Sequence, residues 1–469
     1  MNCPNLDTTL DASLVERYDR PGPRYTSYPT AAQFNDGFVA SDYLAAVQRS
    51  RDAGQALSLY LHLPFCASPC FYCGCTRVIS RSAATGERYL LRLLREIELQ
   101  GALFSGREPV RQLHFGGGTP NYFNLQQLDQ LMQALRSRFG LSESPDREFS
   151  IEVDPRALAP DAVAGLAALG INRISVGVQD FDPQVQAAVN RLQSYQQTEQ
   201  LLRAARAAGI ASISVDLIYG LPRQSLEGFG RTLDQVIALA PERVSAYSYA
   251  HLPQLFRAQN QIQANELPSP PEKLALLQLT VSKLQAAGYV YIGMDHFARP
   301  DDELARALRD GTLQRNFQGY STQAGADLIG LGMSAISRIA DSYSQNAKTL
   351  DGYYAALDRD QLPLWRGLRL SADDRLRRAV IEAIMCRTEV DFAEFERAYD
   401  IDFPHYFAAA LAALRPLEAD GLVRLRPGSL QVTAQGRFLL RAVAMPFDAY
   451  LGAAAPDARA TPARYSKLV

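Results

Sequence analysis

Four cysteines within ten residues constrain this chain more than any other feature. Cys66, Cys70 and Cys73 have the spacing C-x3-C-x2-C, Cys75 follows two residues later, and an apolar run at 57–63 comes just before them. Three thiolates at this spacing can ligate one face of a metal centre, whereas structural zinc sites usually take paired cysteines from two separate loops. The spacing favours an iron–sulfur cluster, with zinc and chance clustering as the alternatives.

The composition predicts an ordinary globular protein with reduced thiols. The chain has 469 residues, of which 47% are hydrophobic, and its six cysteines are too few for a disulfide framework. Its 48 basic and 50 acidic side chains give a formal charge of -2, so we expect no nucleic-acid partner. The sequence shows neither a targeting segment nor an apolar stretch long enough to span a membrane, and we expect a cytoplasmic location.

Short β-branched or aromatic runs alternate with helical patterns from residue 57 onward, which predicts six β–α units. Such alternation is typical of an α/β protein with a parallel sheet and helices outside it. Its regularity favours a parallel (β/α)6 partial TIM-type barrel over an open doubly wound sheet. The predicted strands cover residues 57–63, 111–115, 148–153, 172–178, 211–218 and 243–249.

The chain divides into three predicted regions. After the sixth strand, residues 289–345 read as loop-rich. Towards the end, helical patterns surround a hairpin across Pro427–Gly428, which suggests a winged-helix-like module without a basic face for DNA. The regions are an N-terminal extension or lid at 1–55, the barrel with its loop-rich extension at 56–365, and a smaller, mainly helical domain at 366–469.

The N-terminal extension contains an unusual segment at 20–30 with the sequence RPGPRYTSYPT. Three prolines and a glycine stiffen an extended chain that carries arginines and tyrosines. Two interpretations are open at this point. The segment is either a surface loop that ties down the terminus or a lid that offers cationic and hydroxyl groups to an anionic substrate.

Polar or glycine-rich residues follow every predicted strand. Chemistry in parallel α/β barrels lies at the carboxyl ends of the strands, so we expect these residues to converge. Each of them alone is explained as well by a helix cap or a satisfied buried group, but six such ends together favour a functional site. Besides the cysteine loop, they are Gly116–Thr119, Glu152 and Asp154, Gln179 and Asp180, Asp216 and Tyr219, and Tyr249 and His251.

The motifs Y-x-H-x-P-F-C-x3-C-x-Y-C at 60–73 and GGGTP at 116–120 resemble those of the radical S-adenosylmethionine (SAM) superfamily. Within it, the chain is most similar to the oxygen-independent coproporphyrinogen III oxidase family. The similarity covers nearly the whole chain. It extends through the segments 21–30, 152–156, 177–180, 190–191, 216–222, 249–253 and 315–320.

The resemblance implies a set of cofactor ligands. Cys66, Cys70 and Cys73 would ligate one [4Fe-4S] cluster while SAM chelates the fourth iron, which leaves Cys75 without a ligand role. Family members hold two SAM molecules. The positions that match the first SAM site are Tyr60, Gly117, Glu152 and Ile336. Those that match the second are Tyr72, Gly118, Thr119, Gln179, Arg191, Asp216 and Ala250.

The resemblance also implies a reaction. A 5′-deoxyadenosyl radical from SAM abstracts hydrogen from a propionate side chain, and two oxidative decarboxylations convert coproporphyrinogen III into protoporphyrinogen IX. We expect a flavodoxin or ferredoxin as electron donor and a monomer, and we assign no catalytic side chain. Arg24 and Arg20 are candidate contacts for the substrate's propionates.

A haem chaperone of the same superfamily is the alternative function. Such proteins resemble the oxidases but bind haem for delivery and oxidise no porphyrinogen. They typically carry phenylalanine at the position of Cys75 and lack the segment at 20–30. Both features of this sequence favour the oxidase.

Overall fold

The computed structural model describes residues 12–451 except residue 324, so 1–11 and 452–469 of the predicted terminal regions lie outside the described residues. The described part of the N-terminal extension has two α-helices on either side of the proline-rich segment. Tyr43 ties the second helix to the sheet region, because its buried hydroxyl donates to Gln100 at 2.9 Å. The helices are α1 (Ala12–Tyr18) and α2 (Ala40–Asp52).

The six predicted strands are confirmed, each within two residues of its predicted bounds. Their helix-facing side chains are buried, whereas alternate residues of β7 and β8, such as Ser175 and Asp216, are half-buried on the opposite face. The elements are β1 (Leu57–Leu63), β2 (Phe65–Cys66), β3 (Val78–Ile79), α3 (Ala83–Gly101), β4 (Pro109–Gly117), α4 (Leu125–Arg138), β5 (Gly140–Leu141), β6 (Glu148–Val153), α5 (Ala162–Ala168), β7 (Arg173–Gln179), α6 (Pro183–Ala188), α7 (Tyr195–Ala207), β8 (Ser212–Tyr219), α8 (Leu226–Leu239) and β9 (Arg243–Ser248).

The strands β1, β4, β6, β7, β8 and β9 lie side by side in chain order and are all parallel. Their carboxyl ends therefore meet at one edge of the sheet. The register places Leu63 of β1 beside Gly117 of β4. The cysteine loop and the glycine run consequently leave the sheet next to each other.

The prediction of a loop-rich region at 289–345 is wrong. Strand β14 below pairs in parallel with β1, and the remaining strands are antiparallel. In 289–345 each strand is only three to five residues long, too short for a local pattern to show. The elements are α9 (Pro270–Ala286), β10 (Val290–Gly293), β11 (His296–Ala298), α10 (Glu303–Asp310), β12 (Gln314–Asn316), β13 (Gly319–Ser321), β14 (Asp327–Leu331), β15 (Ile336–Ile339), β16 (Ser342–Asn346), α11 (Leu350–Leu357) and β17 (Leu364–Arg369).

The C-terminal region is mainly helical as far as it is described, and it contains the predicted hairpin. It shares one hydrophobic core with the sheet region, where Phe438 stacks on Tyr291 with ring centroids 5.7 Å apart. Its elements are α12 (Ala372–Arg387), β18 (Glu389–Asp391), α13 (Phe392–Tyr399), α14 (Phe403–Tyr406), α15 (Ala408–Ala413), α16 (Arg415–Ala419), β19 (Val423–Arg426), β20 (Ser429–Val432) and α17 (Leu440–Ala444).

The proline-rich segment is packed into the protein through its tyrosines. Tyr25 and Tyr28 are both buried. The Tyr25 hydroxyl donates to Asp448 at 3.0 Å, and the backbone N–H of Ala449 donates to the Tyr28 hydroxyl at 3.0 Å. The segment therefore lies between the sheet region and the end of the C-terminal region.

Among the described residues, no helix has both the length and the apolar character that a membrane crossing requires. The longest helix, α3, has 19 residues and carries charged side chains along its length. The cytoplasmic location stays a prediction.

Candidate active site

The cysteine loop, residues 64–77, leaves β1 at the carboxyl edge of the sheet and is held in shape by one arginine. Arg77 Nη1 donates to the carbonyl oxygens of Cys73 at 3.0 Å and Cys75 at 3.4 Å. Its Nη2 donates to the carbonyl oxygen of Cys70 at 3.3 Å. A single side chain thus fixes the backbone at two of the predicted cluster ligands.

Hydrogen bonds reach the sulfur atoms of Cys66 and Cys73. Thr119 Oγ1 donates to Cys66 Sγ at 3.3 Å, and the backbone N–H of Cys75 donates to Cys73 Sγ at 3.4 Å. A hydrogen bond from the Cys75 thiol lowers the pKa of Cys73 to about 6, whereas burial raises the pKa of Cys66. Cys73 is therefore a thiolate at neutral pH, which is the form that binds metal.

Two arginines lie against the third sulfur. Arg191 Nη1 is 3.6 Å and Arg156 Nη2 is 3.7 Å from Cys70 Sγ. Both guanidinium groups also donate to the Asp154 carboxylate, at 3.1 Å and 2.6 Å. Arg191 is further fixed by Gly177, whose carbonyl oxygen accepts from Nη2 at 2.6 Å. The carboxylate keeps the two cations together beside the sulfur.

The thiols fit a polynuclear cluster better than a single ion. Cys66, Cys70 and Cys73 line one cavity of about 290 Å³, here called the cysteine cavity. Within the described ranges, no three His, Cys, Asp or Glu side chains stand close enough together to hold one metal ion. In an iron–sulfur cluster the cysteines ligate different iron atoms, so their sulfurs stand apart around one centre. Three thiols surrounded by hydrogen-bond donors suit that arrangement.

Glycine is required at positions 117 and 118, because the backbone there lies very close to the cysteine loop and to His62 before it. Gly117 has a φ of +118°, and a Cβ there would lie 2.7 Å from the His62 ring. A Cβ at Gly118 would lie 2.6 Å from the Pro64 carbonyl oxygen. Only glycine fits both positions. Because these two glycines have no side chains, Thr119 can reach the Cys66 sulfur.

Glu152, at the end of β6, lies where three cavities meet. It lines the cysteine cavity and two neighbouring cavities of about 320 Å³ and 160 Å³. His114 Nε2 donates to its Oε1 and the backbone N–H of Gly117 to its Oε2, both at 3.2 Å. Burial alone would raise the pKa of Glu152, but these hydrogen bonds outweigh it and the net pKa is lowered. The cavities therefore share an anionic carboxylate.

The structure brings together the four residues predicted for the first SAM. Tyr60, Ile336 and Glu152 line the 320 Å³ cavity, and Gly117 lines the cysteine cavity beside it. Tyr60 is oriented by a hydrogen bond from its hydroxyl to His62 Nδ1 at 3.0 Å. Their contact with SAM stays a prediction.

The residues predicted for the second SAM also lie together. Asp216 accepts a hydrogen bond from Ser175 at 2.7 Å, and burial raises its pKa to about 6. Ala250 is tied to Tyr72 through Gln259, whose Nε2 donates to both backbone carbonyl oxygens, at 3.1 Å and 3.0 Å. The six predicted residues that line the cysteine cavity are Tyr72, Gly118, Thr119, Gln179, Arg191 and Asp216.

The grouping of Asp180 with the convergent strand-end residues is wrong. Its carboxylate faces the outer helices, where it accepts from Thr232 Oγ1 at 2.5 Å and from Gln224 Nε2 at 2.6 Å. It is 1% exposed, and burial raises its pKa. Asp180 is a satisfied buried group that helps to dock α8.

A buried carboxylate that the sequence analysis missed supports the side of the site that carries Ile336. Glu96 of α3 is completely buried. It accepts hydrogen bonds from the backbone N–H of Gly332 at 2.7 Å, Asn346 Nδ2 at 2.6 Å and the Tyr353 hydroxyl at 2.6 Å. Burial raises its pKa to about 7. Glu96 thereby holds the loop that precedes β15.

Two family descriptions match the chain: the radical SAM superfamily over residues 60–236 and the HemN C-terminal domain over residues 370–439. A Pseudomonas aeruginosa protein described as an oxygen-independent coproporphyrinogen III oxidase is 51% identical over 95% of this chain and 97% of its own length. The chain belongs to the oxygen-independent coproporphyrinogen III oxidase family. The recognition from sequence motifs is thereby confirmed.

Other members of the family agree in sequence and in fold. An Escherichia coli member is 48% identical over 94% of this chain and 95% of its own length. The solved structure of coproporphyrinogen III oxidase from Escherichia coli, described as a radical SAM enzyme, matches with a TM-score of 0.90 and 47% identity over 95% of this chain and 100% of that chain. The predicted α/β fold with a helical C-terminal region is confirmed.

Proposed function

We propose that this protein converts two propionate side chains of coproporphyrinogen III into vinyl groups without oxygen, giving protoporphyrinogen IX. The observation that carries the proposal is that three cysteines, a glycine run and Glu152 meet on one set of joined cavities. A relative named for this activity shares 51% of the sequence. The site and the similarity support the same reaction.

Cys66, Cys70 and Cys73 would hold a [4Fe-4S] cluster, a role that their hydrogen-bonded sulfurs fit. When bound, the cluster and SAM would supply a 5′-deoxyadenosyl radical. Hydrogen abstraction from the β-carbon of a propionate would be followed by loss of carbon dioxide and by transfer of one electron to an acceptor from outside the protein, which leaves the vinyl group. The protein's own part is to hold the reacting carbon close and to exclude water.

The charges of the site suit SAM, which is cationic at sulfur and at its amino group. Glu152 is an anion at the junction of the cavities, and we assign it to a cationic group of the first SAM. Asp216, hydrogen-bonded by Ser175, is available to the hydroxyl groups of a second SAM. Two SAM molecules are therefore part of the proposal.

The remaining assignments belong to the proposal as well. We interpret the parallel strands as a (β/α)6 partial barrel and the C-terminal region as winged-helix-like. We also propose that the three regions divide at residues 55 and 365 and that the protein is a monomer. Its electron donor would be a flavodoxin or a ferredoxin. The exposed residues 67 and 74–76 of the cysteine loop support a surface site for such a donor.

The haem-chaperone alternative is less well supported. The relatives of 41–51% identity all carry the oxidase name. The segment at 20–30, which such chaperones lack, is packed between two regions of this protein. The oxidase is therefore the function that we propose.

Anaerobic turnover tests the proposal. The reconstituted protein is incubated with a reductant, SAM and coproporphyrinogen III, and the products are separated by liquid chromatography. We expect protoporphyrin after oxidation, with one 5′-deoxyadenosine for each propionate converted. Cys70→Ser serves as the inactive control. Tight haem binding without protoporphyrin would instead support the chaperone.

A further inference from the structure

Three arginines approach one another beneath the proline-rich segment, and we call them the arginine cluster: Arg24, Arg315 and Arg441. Arg315 is 6% and Arg441 3% exposed, and one third of the Arg24 side chain is exposed. Arg24 forms an ion pair with Asp295, and Arg441 donates to the backbone carbonyls of Gly22 and Pro23. Asp295 is thus a carboxylate partner for one member of the cluster.

Arg315 is the member of the cluster with two unpaired nitrogen atoms among the described residues. Its Nε and Nη1 are buried and have no hydrogen-bond partner in the described part of the chain. The guanidinium lies 4.8 Å from the centre of the Tyr320 ring, and no ion pair of Arg315 is found among the described residues. Burying an unpaired cation is expensive for a protein, so such a group calls for an explanation.

Two arginines on the inner side of the same sheet have carboxylate partners, unlike Arg315. Arg173 Nη2 lies 2.5 Å from Glu303, and Arg243 Nε lies 3.0 Å from Asp302. Arg243 contacts Glu303 as well. Arg315 differs from both in having no carboxylate partner among the described residues.

Neutral side chains with unpaired polar atoms lie near Arg315. Burial and the charges of Arg315 and Arg24 lower the pKa of His296 to about 3, so its ring is neutral. His296 Nδ1 and Gln318 Nε2 are both buried without a hydrogen-bond partner among the described residues. Burial and the repulsion from its two neighbours also lower the pKa of Arg441, to about 9.

A layer of aromatic rings connects the arginine cluster with the cysteine cavity. Tyr247 lines that cavity. The His296 ring stands edge-on to Tyr247 at 5.9 Å and to Tyr320 at 5.4 Å, and the Arg315 guanidinium lies 4.8 Å from the centre of the Tyr320 ring. Three neighbouring rings therefore link the cavity wall to the guanidinium.

We propose that Arg315, together with Arg24 and Arg441, binds carboxylates of the substrate's propionate side chains. This inference rests on the proposed function, which supplies a substrate with four carboxylates. The unpaired Nε and Nη1 of Arg315 lie on different edges of the guanidinium, so each of them can donate a charge-assisted hydrogen bond to a carboxylate oxygen.

The chemistry further assigns the retained propionates to this cluster. A carboxylate that is paired with buried cations is stabilised in its ionised form, and its loss as carbon dioxide would leave those cations unpaired again. The cluster therefore suits the propionates that keep their carboxylates while another propionate reacts. It orients the macrocycle without taking part in the radical step.

Binding of coproporphyrin III to the cluster-free protein tests the inference. This stable, fluorescent form keeps the four carboxylates, and its tetramethyl ester lacks them. We expect Arg315→Met to weaken binding about 10- to 100-fold, because it removes charge-assisted hydrogen bonds. Arg306→Met, at an exposed arginine of α10, is the matched control and should leave the affinity unchanged.

The thermal midpoint of the ligand-free variant separates binding from structure. Arg315→Met removes an unpaired buried cation, so its midpoint should be equal to or above that of the wild type. If the variant fails to fold, Arg315→Lys keeps the charge but loses the planar fork, and it should still weaken binding. A structural role would instead lower the midpoint and leave the affinity of the folded fraction intact.

The outcomes distinguish this inference from the proposed function. Unchanged affinity of folded Arg315→Met or Arg315→Lys, or equal binding of the tetramethyl ester by the wild type, overturns the inference while turnover still supports the oxidase. Absence of protoporphyrin from the anaerobic wild-type assay overturns the proposed function instead.

Discussion

Replacing Glu96 by glutamine removes the charge of one buried carboxylate and keeps the shape of the side chain. The effect of this substitution on stability should depend on pH. In the wild type, Oε2 accepts from Gly332 and Tyr353, and Oε1 accepts from Asn346. In Glu96→Gln the carbonyl oxygen can replace Oε2 and keep two of these bonds. The amide nitrogen then faces Asn346 Nδ2, so one donor loses its acceptor.

The magnitude follows from the pKa and the lost hydrogen bond. Burial raises the pKa of Glu96 from 4.5 to about 7, so ionising it costs the folded protein about 3 kcal/mol. The folded state binds this proton more tightly than the unfolded chain, and wild-type stability therefore falls as the pH rises from 4.5 through 7. The orphaned donor in Glu96→Gln costs about 1–3 kcal/mol at every pH.

The two effects predict that the free energy of unfolding of Glu96→Gln increases relative to that of the wild type as the pH rises. The wild type has lost about 1 kcal/mol at pH 5 and about 3 kcal/mol at pH 8, so Glu96→Gln should be less stable by about 0–2 kcal/mol at pH 5 and more stable by about 0–2 kcal/mol at pH 8. Urea unfolding of the cluster-free proteins at pH 5, 6, 7 and 8, followed by circular dichroism, measures the difference. Glu87→Gln, at an exposed position of the same helix, controls for the loss of a carboxyl group.

A stability difference that stays constant between pH 5 and pH 8 would refute the reasoning, because it would show that Glu96 does not change its charge in this range. The variant also reports on the site. Glu96 holds Gly332, four residues before Ile336, so Glu96→Ala should weaken SAM binding as well as stability. An unchanged SAM affinity in Glu96→Ala would separate this carboxylate from the cofactor site.

Three further predictions address the cofactors. Cys75→Ser should keep most of the visible absorption of the reconstituted cluster, whereas serine at any of the three predicted ligands should abolish it; loss in Cys75→Ser would indicate four-cysteine ligation. Arg77→Met should speed the loss of cluster iron to a chelator about 10-fold or more, because three carbonyl groups of the cysteine loop lose their hydrogen-bond donor. Arg88→Met, on α3, is the control and should leave the rate of iron loss unchanged. Asp216→Ala should lower the SAM stoichiometry in calorimetry from two towards one, and two full sites would contradict its assignment.

Those parts of the fold that depend on local pattern could be predicted from the sequence. The parallel strands carry apolar residues at their helix-facing positions, as in β8, where Ile213, Val215 and Leu217 alternate with polar residues. Strands β1 and β6 match their predicted bounds at both ends. Helix α4 begins after Asn124 because its side chain accepts from the N–H of Gln127 at 2.9 Å. The cysteine and glycine motifs likewise identify the site, because their spacing carries the chemistry.

Features that depend on distant pairing could not be predicted in this way. Strand β14 has five residues, Asp327–Leu331, and exists because the edge of β1 offers it parallel hydrogen bonds. The sequence indicates the burial of Glu96 only weakly: it is a charged residue on the apolar face of α3, between Leu93 and Ile97. Only the structure shows that its partners come from residues 332–353.

The buried arginines of the site are of two kinds. Some are paired with a carboxylate of the chain, whereas Arg315 lacks such a partner among the described residues. Beside the cysteines, Arg191 and Arg156 share Asp154, so their positions are fixed before any ligand arrives. At the arginine cluster, no carboxylate in the described part of the chain pairs with Arg315, and its Nε and Nη1 are assigned to a ligand. A cofactor that stays bound needs the first arrangement, whereas a substrate that must leave after each turnover is better served by the second. Adding a carboxylate beside Arg315, as in Met385→Glu from the wall of the adjoining cavity, should therefore stabilise the protein and weaken porphyrin binding together.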